Sequence, residues 1–252
     1  MEILTQAEIE ERLRGEDLNS WLDLWRTEQG PAKPSALKLM AAAIPFPTNQ
    51  SLRVLDVGCG TGDAGRTIHA RFSHARIDFV DRNEFFAALC SAVNHRDGIA
   101  GGTWVRDLLE PGWRRGLASG YDVAVAVNAV HWFSLTGATK LLADIFQSLR
   151  PSGVFLLMEP AGAESLFAPG FEAWQEEQPS QHRREDWRRF WSRVKALVGY
   201  DYGFLGDPDR QSSIGDSLSV KQWIRLLADA GFESIDILLR DSEKVVLAGV
   251  KP

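Results

Sequence analysis

The hydrophobic positions of this chain change period several times, and those changes mark out its elements. Residues 52–57, 76–81, 102–106, 121–127 and 153–158 are short apolar runs rich in Val, Ile, Leu and Phe, the pattern of strands covered on both faces. Between them apolar residues recur at helical spacing near 63–73, 84–96 and 136–149, with Leu141, Leu142, Ile145, Phe146 and Leu149 the clearest set. This alternation predicts a parallel sheet with helices on both faces. The chain closes differently. Ser219-Val220-Lys221-Gln222 reads as a capping box opening a helix that runs to Ala230, with Gly231 as its stop. Two strand-like runs follow, 234–239 and 244–250, joined by a short polar turn; such a hairpin adds an antiparallel strand to the sheet.

Two segments lie outside this alternation. Residues 1–50 predict a helical cap, with Leu18, Trp21, Leu22 and Trp25 on one face, and Pro31, Pro34, Pro45 and Pro47 breaking the pattern after it. Residues 161–218 form an insert that holds Trp174, Trp187, Trp191, Tyr200 and Tyr202 and a basic cluster from Arg183 to Lys195. Trp187, Phe190, Trp191, Val194, Leu197 and Val198 follow helical spacing, with Arg183, Arg184, Arg188, Arg189 and Arg193 largely on other faces. The organisation expected is therefore a cap (1–50), a core made of 51–160 and 219–252, and a lid or substrate insert (161–218). Trp187, Trp191, Tyr200 and Tyr202 of the insert, together with Trp132 of the core, are candidates for the acceptor pocket, and ordinary packing is the competing reading.

The chemistry concentrates at the ends of the predicted strands. Val54-Leu55-Asp56-Val57-Gly58-Cys59-Gly60-Thr61-Gly62 is an apolar run that stops at an acid and three alternating glycines. Glycine has no Cβ and tolerates positive φ, so bare backbone can approach a ligand there. Asp81, 25 residues past Asp56, ends the second run with Arg82 beside it; an acid at that tip can hold two ribose hydroxyls. Asp107 with Leu108 follows the third run, and Asn128 ends the fourth. Gly60-Thr61-Gly62-Asp63-Ala64-Gly65 also satisfies the G-x-G-x-x-G dinucleotide pattern, so by spacing alone a dinucleotide and another nucleoside cofactor both remain open. His131, next to Trp132, follows the fourth run and Glu159 the fifth. If those strands are neighbours, a carboxylate meets an imidazole at the same edge and fixes its tautomer; His131 is then a candidate general base, set against a plain capping role.

The stretch 54–62 resembles motif I of class I S-adenosylmethionine-dependent methyltransferases, and the C-terminal hairpin resembles the ending of that family. The resemblance implies a Rossmann-like, seven-stranded mixed sheet, with S-adenosylmethionine as cofactor. It also implies cofactor contacts at Asp56, Gly58, Gly60, Gly62, Asp81, Arg82, Asp107, Leu108 and Asn128. A narrower resemblance is carried by Asn128-Ala129-Val130-His131, Leu149-Arg150-Pro151-Ser152-Gly153, Leu157-Met158-Glu159, Asp81 to Ala88, Tyr202 to Asp207, Leu218 to Trp223 and Ala230-Gly231-Phe232. These look like the C-methyltransferase domains of polyketide synthases. The likeness implies a His131–Glu159 dyad that deprotonates the α-carbon of an acyl thioester. Cys59, Trp132 and Ser152 depart from the small residues expected at those positions in such domains.

Composition narrows the partners. The 252 residues carry a formal net charge of −6, which argues against a general nucleic-acid footprint. Two cysteines, Cys59 and Cys90, have no metal-binding or redox spacing, and no metal is expected. No basic, apolar leader and no apolar run of membrane-spanning length is seen, so a cytoplasmic enzyme is expected. Its acceptor would be a small molecule or a carrier-protein-bound acyl group, methylated on carbon or oxygen. Two other readings stand beside this: an RNA or protein methyltransferase, and a non-catalytic cofactor-binding subunit.

Overall fold

The computed structural model describes residues 3–29, 32–163, 167, 169–170, 173, 183–202, 214, 218–241 and 244–252. Seven strands form one sheet: β1 (Arg53–Val57), β2 (Arg76–Asp81), β3 (Gly101–Val105), β4 (Tyr121–Val127), β5 (Leu149–Pro160), β6 (Glu233–Arg240) and β7 (Lys244–Val250), in the order β3-β2-β1-β4-β5-β7-β6. β1 to β5 pair in parallel, and β7 inserts antiparallel between β5 and β6. The order reverses between β1 and β4, the topological switch point where sheets of this class bind ligands at the carboxyl ends of the strands. The central strands are buried on both faces, which is why they read as apolar runs: every residue of β4 before Val127 is buried. One helix-covered face gathers Leu55, Leu141, Ile145, Phe155 and Trp223, and the other gathers Val54, Ile68, Phe79, Val125 and Leu156.

Eight helices accompany the sheet among the described residues: α1 (Gln6–Leu13), α2 (Leu18–Gln29), α3 (Ala32–Ala43), α4 (Asp63–Arg71), α5 (Glu84–Asp97), α6 (Leu135–Ser148), α7 (Arg183–Val198) and α8 (Val220–Asp229). The Ser219–Gln222 capping box is present, with both reciprocal hydrogen bonds formed. Two expectations need correction. Pro34 does not break the cap but lies in the first turn of α3, where its missing N–H has no carbonyl four residues back to bond. β5 begins at Leu149 rather than near 153: Leu149 pairs with Tyr121, the register then shifts, and pairing resumes at Val154 with Val123. The intervening Ser152, at φ 61°, is an irregularity within the strand rather than a turn before it.

The cap and the insert meet. Trp21 and Trp25 of α2, Phe85 and Phe86 of α5, and Phe190, Val194 and Val198 of α7 form one buried cluster. Trp25 packs on both Phe86 and Phe190 with ring centroids 4.9 Å apart. Arg193 lies 3.9 Å above the Trp21 ring and pairs with Glu16 at 3.0 Å. α7 is therefore fastened to the N-terminal helices by its apolar face and one arginine, while Arg188 and Arg189 stay exposed. The side chains of Arg183 and Arg184, Trp174 and the stretch 203–207 lie outside the described residues.

Candidate active site

The first half of the site is the turn between β1 and α4. Gly58, Gly60 and Gly62 all have positive φ, at 64°, 53° and 83°. At Gly58 the need is twofold, because a Cβ there would also come within 2.5 Å of the Ala129 methyl at the end of β4. Gly65, one turn into α4, is required for closeness alone: a Cβ would strike the Phe79 ring at 2.4 Å. Its absence lets the Gly65 N–H reach Asp56, whose Oδ2 accepts it at 2.8 Å. Above Gly60 an added Cβ meets nothing within 4 Å, so the backbone at the crest of the turn is open to a ligand.

Carboxylates hold this turn. Asp56 is 1% exposed and braces the turn through the backbone of α4. Burial pushes its carboxyl up to about 7, against the Gly65 N–H and the charges of Arg66 and Lys33. Asp81, half-buried at the tip of β2, accepts the Gly60 N–H at 2.8 Å on one oxygen and the Asn83 N–H at 2.9 Å on the other. Burial raises its carboxyl too, and those N–H bonds and Arg82 oppose the rise. Asp63, at the start of α4, is also pushed up by burial, but Arg66, Lys33 and Arg26 outweigh this and hold it low. Asp107 sits at the end of β3 with its Oδ1 accepting the Leu109 N–H at 2.9 Å, and Leu108 is buried beside it.

Arg26 and Lys33 act on the acids of the turn, and the sequence reading missed both. Arg26 of α2 reaches Asp63 at 3.2 Å, and Lys33 of α3 is nearly buried beside Trp25, with its charge acting on both Asp56 and Asp63. Nothing in the spacing of the cap pointed to the turn; only the packing of α2 and α3 against α4 brings them there.

The second half lies at the ends of β4 and β5. β4 stops at Val127, paired with Met158, and Asn128 takes the left-handed conformation at φ 52°. A short 3-10 turn, Val130–Trp132, then folds back across the end of β5. Its first N–H groups have no helical partners. Glu159 receives them: its Oε1 accepts Ala129 N–H at 3.0 Å and Val130 N–H at 2.7 Å. Its Oε2 lies 2.6 Å from Nδ1 of His131. Glu159 is wholly buried, whereas His131 keeps 13% of its side chain exposed. With one carboxylate oxygen occupied by two backbone donors, the other accepts the ring N–H, so Nδ1 carries the proton and Nε2 presents a lone pair. The Trp132 ring lies 5.1 Å from the His131 ring and donates its indole N–H to Asn128 O at 3.1 Å.

The structure thus brings together Asp56, Gly58, Gly60, Gly62 and Asp81 around the turn, and His131, Glu159, Asn128 and Trp132 at the neighbouring strand ends. The insert aromatics belong to the cap–insert cluster. Trp187, Trp191, Tyr200 and Tyr202 pack against the cap and α5, and the two tyrosine hydroxyls meet at 3.0 Å. Trp187, Trp191 and Tyr202 are only partly buried there. Among the described residues, no group of three or more His, Cys, Asp or Glu side chains is arranged to hold a metal ion, and no helix is long and apolar enough to cross a membrane.

Comparison with known proteins gives this geometry its relatives. Residues 54–153 match the methyltransferase domain family. The chain is 27% identical over 198 residues to the highly reducing polyketide synthase acrA of Aspergillus aculeatus, covering 75% of this chain and 7% of the synthase. It is 27% identical to the malonyl-[acyl-carrier protein] O-methyltransferase of Bacillus cereus, covering 58% of this chain and 52% of that protein. It is 26% identical to methyltransferase calH of Penicillium decumbens, covering 78% of this chain and 48% of that protein. The chain therefore spans about half or less of the length of these relatives. The CurJ carbon methyltransferase has a similar fold, at a TM-score of 0.52 and 20% identity, over 82% of this chain and 50% of that one.

Proposed function

We propose, from the premise that this chain carries a class I S-adenosylmethionine-dependent methyltransferase domain, that it moves a methyl group to carbon or oxygen of a small or acyl acceptor, with His131 as general base. S-adenosylmethionine supplies a methyl on a sulfonium, already activated for displacement. Around it the chain contributes the open backbone at Gly60, the fixed carboxylate of Asp81 for ribose hydroxyls, and Leu108 beside Asp107 for the adenine. The residues fit such a group: an acid at the tip of β2 and a glycine turn at the switch point meet the needs of a nucleoside.

The observation that carries the catalytic part is the 2.6 Å contact between His131 Nδ1 and the buried Glu159. A histidine that only capped the strand would not need its tautomer fixed by a wholly buried acid. Held in this way, Nε2 can take a proton from the acceptor as the nucleophile forms, and the Glu159 carboxylate steadies the imidazolium that results. Such a base suits acceptors with a weakly acidic proton, such as the α-carbon of a β-ketoacyl thioester or a phenol-like hydroxyl. The polyketide synthase and acyl-carrier relatives favour the acyl thioester, free or carrier-bound.

The test is mass spectrometry of the chain incubated with S-adenosylmethionine and β-ketoacyl thioesters. Gain of one methyl, lost in His131→Ala while S-adenosylhomocysteine still binds, is the expected result. Tight binding of NADH with none of S-adenosylhomocysteine, measured by titration calorimetry, would overturn the reading.

A further inference from the structure

A second concave surface opens between the outer surfaces of α2, α3, α4 and α5, and it shares Arg26, Asp63 and Arg66 with the helix that follows the glycine turn. This cleft of about 550 Å³ is lined by Arg26, Lys38, Arg66, Arg71 and Arg96 against only Asp63 and Asp97. In a chain of net charge −6, five cations from four helices facing one cavity run against the overall balance, because like charges drawn together repel unless an anion joins them.

The internal pairing does not remove the excess. Arg26 and Arg66 share Asp63, at 3.2 and 2.7 Å, and Arg26 also pairs with the exposed Asp23 at 3.5 Å. Arg96 pairs with Asp97 at 2.8 Å, along the chain, and with Asn19 at 2.9 Å. Lys38 and Arg71 make no ion pair with the described residues, and Arg71 merely rests over the Phe72 ring. The cleft has Leu22, Ala41 and Ala70 among its walls, which give bound charge a partly apolar surrounding. Guanidinium groups present several donors in a planar fork matched to phosphate oxygens.

We infer that this cleft binds a phosphate-bearing anion, separately from the site at the strand ends. Lys38 and Arg71 would be its main ligands, and Arg26, Arg66 and Arg96 would turn part of their hydrogen bonding toward it. Arg66 also donates to the carbonyl of Thr61 in the glycine turn, so an occupant of the cleft touches the side chain that braces that turn.

Two calorimetric titrations of the whole chain at low salt test the site, one with inorganic pyrophosphate and one with coenzyme A, whose diphosphate is carried on an organic skeleton. Saturable binding of one ligand per chain is expected. Lys38→Glu with Arg71→Glu should weaken it by about tenfold or more, the loss of charge-assisted contacts. Lys38→Gln with Arg71→Gln, which places no new charges on the surface, should weaken it in the same direction, with the melting temperature kept. Tighter binding of coenzyme A identifies an organic phosphate as the occupant, and equal binding identifies the inorganic anion. No saturable binding of either probe, or affinity unchanged in both double variants, overturns the inference.

Discussion

The two halves of the site use the same device for different ends. At the β1–β2 end, buried or half-buried carboxylates hold backbone: Asp56 holds Gly65, and Asp81 holds Gly60 and Asn83. At the β4–β5 end, Glu159 also holds backbone, at Ala129 and Val130, but spends its second oxygen on a side chain that can exchange protons. The comparison teaches that a carboxylate bonded only to N–H groups shapes a surface, whereas one bonded to an imidazole sets up chemistry. The first kind should govern affinity and stability, and the second turnover.

The largest expected effect lies at the second end. Glu159→Gln can keep its carbonyl oxygen on the Ala129 and Val130 N–H groups while turning an amide NH₂ toward His131 Nδ1. The proton then moves to Nε2 and the ring can no longer accept one there. We expect kcat to fall by about 10²–10⁴-fold, as in His131→Ala, with S-adenosylhomocysteine affinity nearly unchanged. A Glu159→Gln variant with ordinary turnover would erase the distinction between the two ends. Next comes Asp81→Ala, which frees the Gly60 and Asn83 N–H groups and removes the proposed ribose acceptor. Cofactor affinity should drop by about tenfold or more in calorimetry, with kcat at saturating cofactor much less affected.

Asp56 gives a smaller effect of a different kind. Its carboxyl is raised from 3.8 to about 7 in the fold. Between those values the folded chain binds more protons than the unfolded one, so stability falls as pH rises through the window and is level above it. Asp56→Asn should flatten that slope, seen as a melting temperature less sensitive to pH between about 4 and 7. An unchanged slope would mean that Asp56 is not the group responsible. The smallest effect is expected from Arg188→Glu with Arg189→Glu on the exposed face of α7. Turnover with free acceptors should stay within about twofold, since among the described side chains of that cluster it is Arg193 that fastens α7 to the cap.

Much of this was legible in the sequence, for identifiable reasons. The inner strands are covered on both faces, so burial wrote itself into the chain as Val-rich runs such as 121–127. Asp81, His131 and Glu159 stood out because each follows such a run, and strand ends of a parallel sheet share one edge. What could not be read depends on tertiary packing. Pro34 looked like a breaker because the first turn of α3 could not be located without its neighbours. Lys33 and Arg26 reach the turn only through the docking of α2 and α3. The aromatics of α7 were legible as a helix face, but their partner, the Trp21 and Trp25 face of the cap, lies some 165 residues away in sequence. Apolar periodicity says that a face is buried, not against what.

The Gly58–Ala129 contact has a consequence for how this chain can vary. The start of the glycine turn in one half and the approach to the other are separated by a single methyl group, with 2.5 Å between that methyl and any Cβ at position 58. Position 58 cannot accept a side chain while Ala129 keeps its methyl, and it is further confined by its φ of 64°. Because packed interiors yield little, a shift of the glycine turn toward β4 presses on the segment that carries His131. The methyl of Ala129 thus acts as a pin shared by both halves, and a library that varies position 58 while Ala129 is kept should recover almost nothing but glycine there.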